Sequence, residues 1–298
     1  MRGRTLALYA VCCLIWGSTW LVIKVAITDL PPFLFAGVRM ALACALLTPL
    51  ALRSRDRPPD RVERRDIALA GLLQMGASYA MVFMASKAVG SGLTAVLFAT
   101  FPIWVGLFAH TLLPNEPLTP ARLAAAALGL AGVAVLEAPG LTGIRMDVRV
   151  AAASTLPLGS ALVSAFANVW IKKRLGGVSP LVNLWGQTLV GAVFLLTLAV
   201  VFERGLPAVW SARAVGALLY LAVFGTVVTF LCLFWLIPRI PMAAVGAISL
   251  IDTVIAVALG AAILAEPVDT RLVAGAALVL VGAAVANRRP SAPKAAVT

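Results

Sequence analysis

The segment EPLTPARLAAAALGLAGVAVL, residues 116–136, recurs 150 residues later as EPVDTRLVAGAALVLVGAAVA, residues 266–286. Ten of the 21 aligned positions are identical. Most identities are small or apolar residues that alanine-rich helices share by chance. The main evidence for a repeat is therefore the Glu-Pro pair that opens each segment. Glu116-Pro117 and Glu266-Pro267 indicate an internal repeat, and a repeat of this length decides the fold.

Ten apolar stretches make up most of the chain. Hydrophobic residues account for 62% of the sequence, charged residues for 12%, and the mean hydropathy is +1.02, which is outside the range of soluble domains. About 20 apolar residues cross a hydrocarbon layer of ~30 Å. The sequence predicts an all-α polytopic membrane protein with ten transmembrane helices, over Thr5–Thr28, Pro32–Leu52, Asp66–Val89, Gly92–Leu113, Leu118–Glu137, Val150–Ile171, Pro180–Val201, Val215–Leu236, Met242–Ala265 and Asp269–Asn287.

The basic residues alternate between the two sides of the predicted membrane. Of the 24 Lys and Arg residues, 16 lie in or beside the even-numbered links and the two termini, six lie near the odd-numbered links, and two lie within spans. Positive charge is retained on the cytoplasmic side, so we expect a multi-pass protein of the bacterial inner membrane with both termini cytoplasmic. Because the basic residues flank apolar spans, the net charge of +12 predicts contact with the lipid bilayer and not with nucleic acid.

The repeat unit is five helices, because the Glu-Pro pair recurs after spans four and nine. A weaker similarity sets Pro32-Phe33-Leu34 against Pro180-Leu181-Val182 and Arg39 against Gln187. An odd number of crossings makes the second copy enter the membrane from the opposite side. The sequence therefore predicts two inverted five-helix repeats, 1–145 and 146–298, around a central cavity, an architecture typical of secondary transporters that work by alternating access.

The repeat, the Trp16-Gly17-Ser18 segment of the first span and the two Glu-Pro links together resemble the EamA family of the drug/metabolite transporter superfamily. The resemblance covers essentially the whole chain. Within the superfamily the sequence looks most like the YddG-type exporters of aromatic amino acids. The resemblance implies a transporter that needs no cofactor, but fold alone does not decide the substrate.

Polar and aromatic side chains inside the spans are the candidate site residues, because polar groups in hydrocarbon must face the bundle interior or a wet cavity. Ser160, Ser164 and Asn168 recur every four residues as one polar stripe. Packing or interhelical hydrogen bonding is the alternative for each residue. The predicted substrate-binding residues are Trp16, Trp20, Gln74, Ser78, Tyr79, Phe83, Phe98, Phe101, Ser164, Asn168, Ser249 and Asp252, and Pro102 is predicted to kink span four and shape the cavity.

Asp252 is the strongest single candidate for a substrate-binding residue, because it is the only acidic residue well inside a predicted span. A carboxylate there either stays protonated or requires a cation, so it suits coupling to protons or binding an amino group. The alternative is a structural pairing with a basic residue or a helix end. Its repeat counterpart is Pro102, so the two halves differ at this level.

Other charged residues have structural interpretations. Lys24, Arg39 and Lys87 lie near the predicted outer ends of spans, which predicts interfacial anchoring. Glu116 and Glu266 are expected to cap the proline-led helices that follow them. His110, near the end of span four, is interpreted as incidental.

Spans five and ten are rich in Ala and Gly, which predicts close packing as a scaffold or as a homodimer interface. The cavity is accordingly predicted from spans one, three, four, six, eight and nine, with Thr226 and Thr229 as further polar groups from span eight.

Other function classes lack their characteristic residues. The sequence has no HExxH, no GxxxxGK and no second midspan acid beside Asp252, and Cys12, Cys13, Cys44 and Cys232 have no metal-ligand spacing, so an enzyme and a metal site are not expected. No set of spans carries the polar rings of an ion channel. The prediction is a secondary exporter of small metabolites, aromatic or large neutral amino acids first, with another metabolite or drug class as the alternative and an intramembrane enzyme or channel ranked lower.

Overall fold

The structure, a computed structural model, describes residues 3–26, 29–89, 94, 97–141, 148–264 and 270–286. Within these residues the chain forms ten helices and no strand, which confirms the predicted all-α fold class. The helices are α1 Gly3–Ala26, α2 Pro32–Arg53, α3 Arg61–Gly71 continuing through the π-helical Leu72–Ala77 into Ser78–Val89, α4 Phe101–Leu112, α5 Pro120–Leu141, α6 Val148–Arg174, α7 Pro180–Phe202, α8 Ala212–Ala222 continuing through the π-helical Val223–Val228 into Thr229–Leu236, α9 Met242–Leu264 and α10 Thr270–Ala286.

Length and composition make several of these helices suitable for crossing a membrane. Among the described residues, α2, α3, α6, α7 and α8 are long and apolar enough to span a bilayer. The described parts of α4, α5, α9 and α10 contain shorter apolar segments. The chain is therefore a polytopic membrane protein, as predicted.

Local sequence explains where the helices begin. Pro32 and Pro180 open α2 and α7, where the missing proline N–H would have no intrahelical partner. Asp60 accepts hydrogen bonds from the backbone of Val62 and Glu63, and the Glu63 side chain accepts one from the Asp60 backbone. The bond from the Glu63 backbone lowers the pKa of Asp60. Because of this capping box, α3 begins at Arg61 and not at the predicted Asp66.

The helix contacts follow the repeat. Helix α2 packs against its counterpart α7, and α5 packs against its counterpart α10. The contacts of α1 with α8 and α9 are matched by those of α6 with α3 and α4. The counterparts α3 and α8 each contain a π-helical turn, at Leu72–Ala77 and Val223–Val228. The two five-helix repeats are thus visible in the packing, while the domain boundary at 145 and 146 stays a prediction.

The small residues of α5 and α10 allow these two helices to approach closely within one chain. A Cβ on Gly132 would lie 2.7 Å from the carbonyl oxygen of Gly275, and one on Gly282 would lie 2.7 Å from that of Ala125. This contact fulfils the scaffold role expected of spans five and ten. A homodimer through these helices stays a prediction.

Replacing Gly282 by alanine tests the close contact. A methyl group there meets backbone atoms, so α5 and α10 must separate, and we expect the free energy of unfolding to fall by ~1–3 kcal/mol. The measurement is the thermal unfolding midpoint of the purified protein in detergent. Gly216→Ala is the matched control, since a Cβ at this exposed helical position has nothing within 4 Å and alanine favours helix. Equal midpoints for the two variants would contradict the prediction.

Candidate functional site

A cavity of about 140 Å³ lies between the two repeats. It is bounded by α1, α2, α3, α6, α8 and α9 and by Phe98 and Phe101 at the beginning of α4. Helix α2 was not among the spans from which the cavity was predicted. The lining residues are Trp16, Thr19, Ile23, Arg39, Gln74, Ser78, Tyr79, Val82, Phe83, Phe98, Phe101, Ser164, Asn168, Phe230, Leu233, Val245, Ile248, Ser249 and Asp252.

The structure brings the predicted site residues together in this one cavity, with two exceptions. Pro102 borders a second, smaller pocket beside α5 and α9, and the side chain of Trp20 lies outside the described residues. The substrate-binding role of Trp20 and the cavity-shaping role of Pro102 remain predictions. Besides Arg39, the sequence analysis missed two groups of lining residues. Thr19, Ile23 and Val82 follow Trp16 and Tyr79 at helical spacing, so the same pattern could have found them. The other group is apolar and gave no signal within its apolar spans, and it consists of Phe230, Leu233, Val245 and Ile248.

Aromatic rings form much of the cavity wall. The ring of Trp16 meets Phe230 edge to face at 5.3 Å between centroids, and Tyr79 stacks on Phe83 at 6.2 Å. Phe98 and Phe101 stack at 5.8 Å. Such walls favour a ligand with a large apolar or aromatic part.

The predicted polar stripe of α6 faces α3. The hydroxyls of Ser160 and Ser78 are 2.8 Å apart, and Asn168 Nδ2 donates to Gln74 Oε1 at 2.9 Å and to the Ser164 carbonyl at 2.8 Å. Ser160 therefore forms an interhelical hydrogen bond, which was the alternative to substrate binding in the sequence analysis. Asn168 Oδ1 is buried and accepts no hydrogen bond from the described residues, so a group inside the cavity can donate to it.

Arg39 corrects one sequence expectation. It was expected to anchor α2 at the interface, but its side chain is only 2% exposed and lines the cavity. Its Nε donates to Thr226 Oγ1 at 2.9 Å, and its Nη2 donates to the Tyr79 hydroxyl at 3.4 Å. The inward direction follows from helix rotation, since α2 faces α3 and α8 at this level. Lys87, by contrast, is exposed near the end of α3 as expected, and the side chain of Lys24 lies outside the described residues.

The π-helical turn of α8 holds the guanidinium in place. Thr226 donates its own hydroxyl proton to the Leu221 carbonyl at 3.0 Å, so its lone pairs face Arg39. A Cβ on Gly225 would lie 3.1 Å from Arg39 Nη2, so only glycine gives the guanidinium free room here. Trp16 Nε1 donates to the Gly225 carbonyl at 3.3 Å. A π turn of this kind often marks a functional site.

Asp252 enters the cavity from α9. Its side chain is 7% exposed, and Thr253 Oγ1 lies 3.4 Å from Asp252 Oδ1. Helix α1 crosses α9 closely at this level, where a Cβ on Gly17 would lie 2.9 Å from the Asp252 carbonyl oxygen. The glycine of the Trp16-Gly17-Ser18 segment therefore serves the contact of α1 with α9, and it brings Trp16 and Asp252 to the same cavity.

Pro102 interrupts span four where a kink was predicted. The chain turns at Ala99 and Thr100, and α4 begins at Phe101 with the proline in its first turn. The proline ring excludes the carbonyl of the preceding turn, so the helix restarts there. Gly246 of α9 packs on this point, since a Cβ there would lie 3.1 Å from the Pro102 Cα.

Glu116 corrects a second expectation. It was expected to cap the following helix, but its Oε2 accepts from the backbone of Met242 at 2.7 Å and so caps α9. Its Oε1 pairs with Lys172 of α6 at 2.6 Å, and Lys172 also donates to the Ile240 carbonyl at 2.5 Å. The α4–α5 link folds back on α9, which brings Glu116 to the other repeat. Glu266 lies outside the described residues, and His110 accepts from the Leu118 backbone at 3.3 Å, a local tie.

Comparison with known proteins agrees with this architecture. Two segments of the chain, residues 3–137 and 152–288, each match the model of the EamA-like transporter family. The chain belongs to the EamA family. It is therefore a membrane transporter, and its two matched segments correspond to the two repeats.

Two relatives of this EamA transporter are named as transporters without a substrate. It is 29% identical over 271 residues to the uncharacterized transporter YoaV of Bacillus subtilis (strain 168), covering 90% of this chain and 91% of the relative. It is 30% identical over 263 residues to the uncharacterized inner membrane transporter YedA of Escherichia coli (strain K12), covering 87% and 81%. A crystal structure that is 21% identical aligns with a TM-score of 0.82 over 96% of this chain and 97% of the other, which shows the shared fold.

Thr226→Val tests how this transporter holds Arg39. Valine matches threonine in shape but leaves the Arg39 Nε–H buried without its acceptor, so the free energy of unfolding should fall by ~1–3 kcal/mol. Thr226→Ser keeps the hydroxyl and is the matched control. The readout is thermal unfolding in detergent. Equal stability of the valine and serine variants would show that the hydrogen bond contributes nothing measurable.

Proposed function

We propose that this EamA transporter exports aromatic or other large neutral amino acids by alternating access. The observation that carries the proposal is the cavity itself, in which the described aromatic walls surround a few polar groups and one side chain of each charge, Arg39 and Asp252. An amphipathic zwitterion matches this combination, because each charge finds an opposite partner and the side chain finds apolar contacts.

Asp252 is the proposed partner of the substrate amino group or of a coupled proton. The α9 position puts its carboxylate in the cavity wall, largely removed from water. A carboxylate in this position suits a cationic ammonium group or a coupled proton. The two roles differ in one measurable respect, because only the proton role makes transport depend on a pH gradient.

The Glu116–Lys172 pair is the proposed gate on one face. It joins the α4–α5 link of the first repeat to α6 and α9 of the second, so the repeats cannot separate at that face while it is intact. In the sequence, a shift of 148 residues aligns Lys24 with Lys172, and a shift of 150 residues aligns Glu116 with Glu266. The inverted repeat therefore carries the same two residue types at the corresponding sequence positions.

Location and orientation complete the proposal. The alternation of basic residues supports insertion in a bacterial inner membrane with both termini in the cytoplasm. Glu116 and Lys172 then lie at the cytoplasmic face, and closing them leaves the cavity accessible to the outside.

The substrate class is tested with purified protein in lipid vesicles. We expect saturable uptake of labelled tryptophan and phenylalanine, slower uptake of threonine because it fills less of the aromatic cavity, and none of a nucleoside. Protein-free vesicles are the control, and an imposed pH gradient reports coupling. Preference for the nucleoside, or unsaturable uptake of every probe, would refute the amino-acid carrier.

Asp252→Asn tests the acidic group. The substitution keeps the shape but removes the charge, so tryptophan flux should fall about tenfold or more while the folded yield is retained. Trp20→Ala should also reduce flux if Trp20 contacts the substrate. Asp56→Asn, on the exposed α2–α3 link, is the matched control. Wild-type flux in Asp252→Asn would remove this residue from the site.

Lys172→Gln tests the gate. Loss of the ion pair should favour opening at its face, so a Ser249→Cys reporter, in a background with the four native cysteines replaced by alanine, should react several-fold faster with an impermeant maleimide added from that face. Lys173→Gln is the matched control, because Lys173 is exposed and has no ion pair among the described residues. Unchanged labelling relative to Lys173→Gln would contradict the gate.

A further inference from the structure

Arg39 has more hydrogen-bond donors than the protein uses. A guanidinium carries five N–H groups and stays charged. Two of them donate, to Thr226 and Tyr79, and both acceptors are neutral hydroxyls. No carboxylate of the described residues lies within ion-pair distance of Arg39. The remaining donors, two on Nη1 and one on Nη2, therefore have no partner in the described part of the chain.

An uncompensated cation in this position is costly. The Arg39 side chain is 2% exposed and sits among helices that cross the membrane. A buried charge without an opposite charge destabilises a fold by several kcal/mol. The charge is therefore expected to serve an anion that enters the cavity, and a guanidinium binds a carboxylate through two parallel hydrogen bonds.

We infer that Arg39 is the binding site for the carboxylate of the transported molecule. The inference rests on the proposed function, since it names the chemical group by which the same cavity selects its substrate. The transported molecule is then an organic acid, and the role of Asp252 narrows it to one that also carries an amino group.

The surroundings of Arg39 prepare it for this task. Thr226 fixes Nε from the π turn of α8, so the two terminal nitrogens are the edge left for a ligand. Tyr79 accepts from Nη2, and its ring lies 5.1 Å from the guanidinium carbon. The Tyr79 hydroxyl donates to no described acceptor, so its proton is available to the same carboxylate. Asn168 Oδ1 can accept a hydrogen bond from the ligand's ammonium group.

A purely structural Arg39 is the competing interpretation. The residue joins α2, α3 and α8 through its hydrogen bonds and could serve only to hold these helices together. That role predicts loss of stability on substitution but no change in ligand selectivity. Selectivity between an acid and its ester or amine therefore separates the two interpretations.

The experiment measures equilibrium binding and vesicle uptake with four probes, tryptophan, tryptophan methyl ester, tryptamine and indole-3-propionate. The wild-type protein should bind tryptophan and indole-3-propionate at least tenfold more tightly than the ester and the amine. Arg39→Gln should lose tenfold or more of the affinity for tryptophan and lose the preference for acids. Arg39→Lys, which keeps the charge without the planar fork, should be intermediate. The exposed Arg204→Gln should match wild type.

Each outcome separates the inference from the proposed function. Wild-type protein that binds the ester as tightly as tryptophan, or none of the four probes, overturns the carboxylate site, and so does Arg39→Gln with its acid preference intact. Saturable uptake of another substrate would then still support a carrier. Arg39-dependent binding of indole-3-propionate without tryptophan transport supports the site and refutes the amino-acid assignment. If Arg39→Gln fails to fold, Arg39→Lys and the wild-type selectivity give the test.

Discussion

Hydrocarbon offers no hydrogen bonds, so every polar side chain between these helices must find its partner inside the protein or in the cavity. The stripe on α6 meets most of this requirement by pairing with α3, although Asn168 Oδ1 accepts no hydrogen bond from the described residues. Arg39 meets it only in part, through Thr226 and Tyr79. Arg39 and Asn168, which the fold leaves only partly matched, lie where a substrate would be held. Trp104 Nε1 and Gln187 Oε1 are also buried without a partner among the described residues, but they lie outside the cavity lining.

The inverted repeat gives the cavity its position, and departures from the repeat give it chemistry. Helices α3 and α8 are counterparts, and each contains a π turn. In the alignment of the two repeats, however, Arg39 corresponds to Gln187, and Pro102 corresponds to Asp252. Gln187 of α7 is buried beside Gly71 of α3 and does not line the cavity, so the first repeat supplies the cation of the described lining. The two repeats therefore contribute different charged groups to the cavity, although their helices are arranged symmetrically.

The sequence was sufficient for features that depend on regular periods. Hydropathy located all ten helices because each must be apolar over its length, and helical spacing grouped residues such as Gln74, Ser78 and Asn168 on inward faces. It failed for Arg39 and Glu116, whose partners are 187 and 126 residues away in the chain. Distance from a span end suggested that Arg39 reaches the interface, but helix rotation decides whether a long side chain turns outward or inward, and rotation depends on tertiary packing.

The contacts that cross between repeats link ligand binding to conformation. Arg39 of the first repeat is held by Thr226 of the second, and Asp252 of the second lies against Gly17 of the first. A ligand that bridges the two charges would tie the repeats together at the cavity, while the Glu116–Lys172 pair ties them at one face. A ligand can shift a conformational equilibrium only as far as it binds one state better than the other. A zwitterion that contacts both repeats provides such a difference, because any rearrangement of the repeats changes the distance between its two partners.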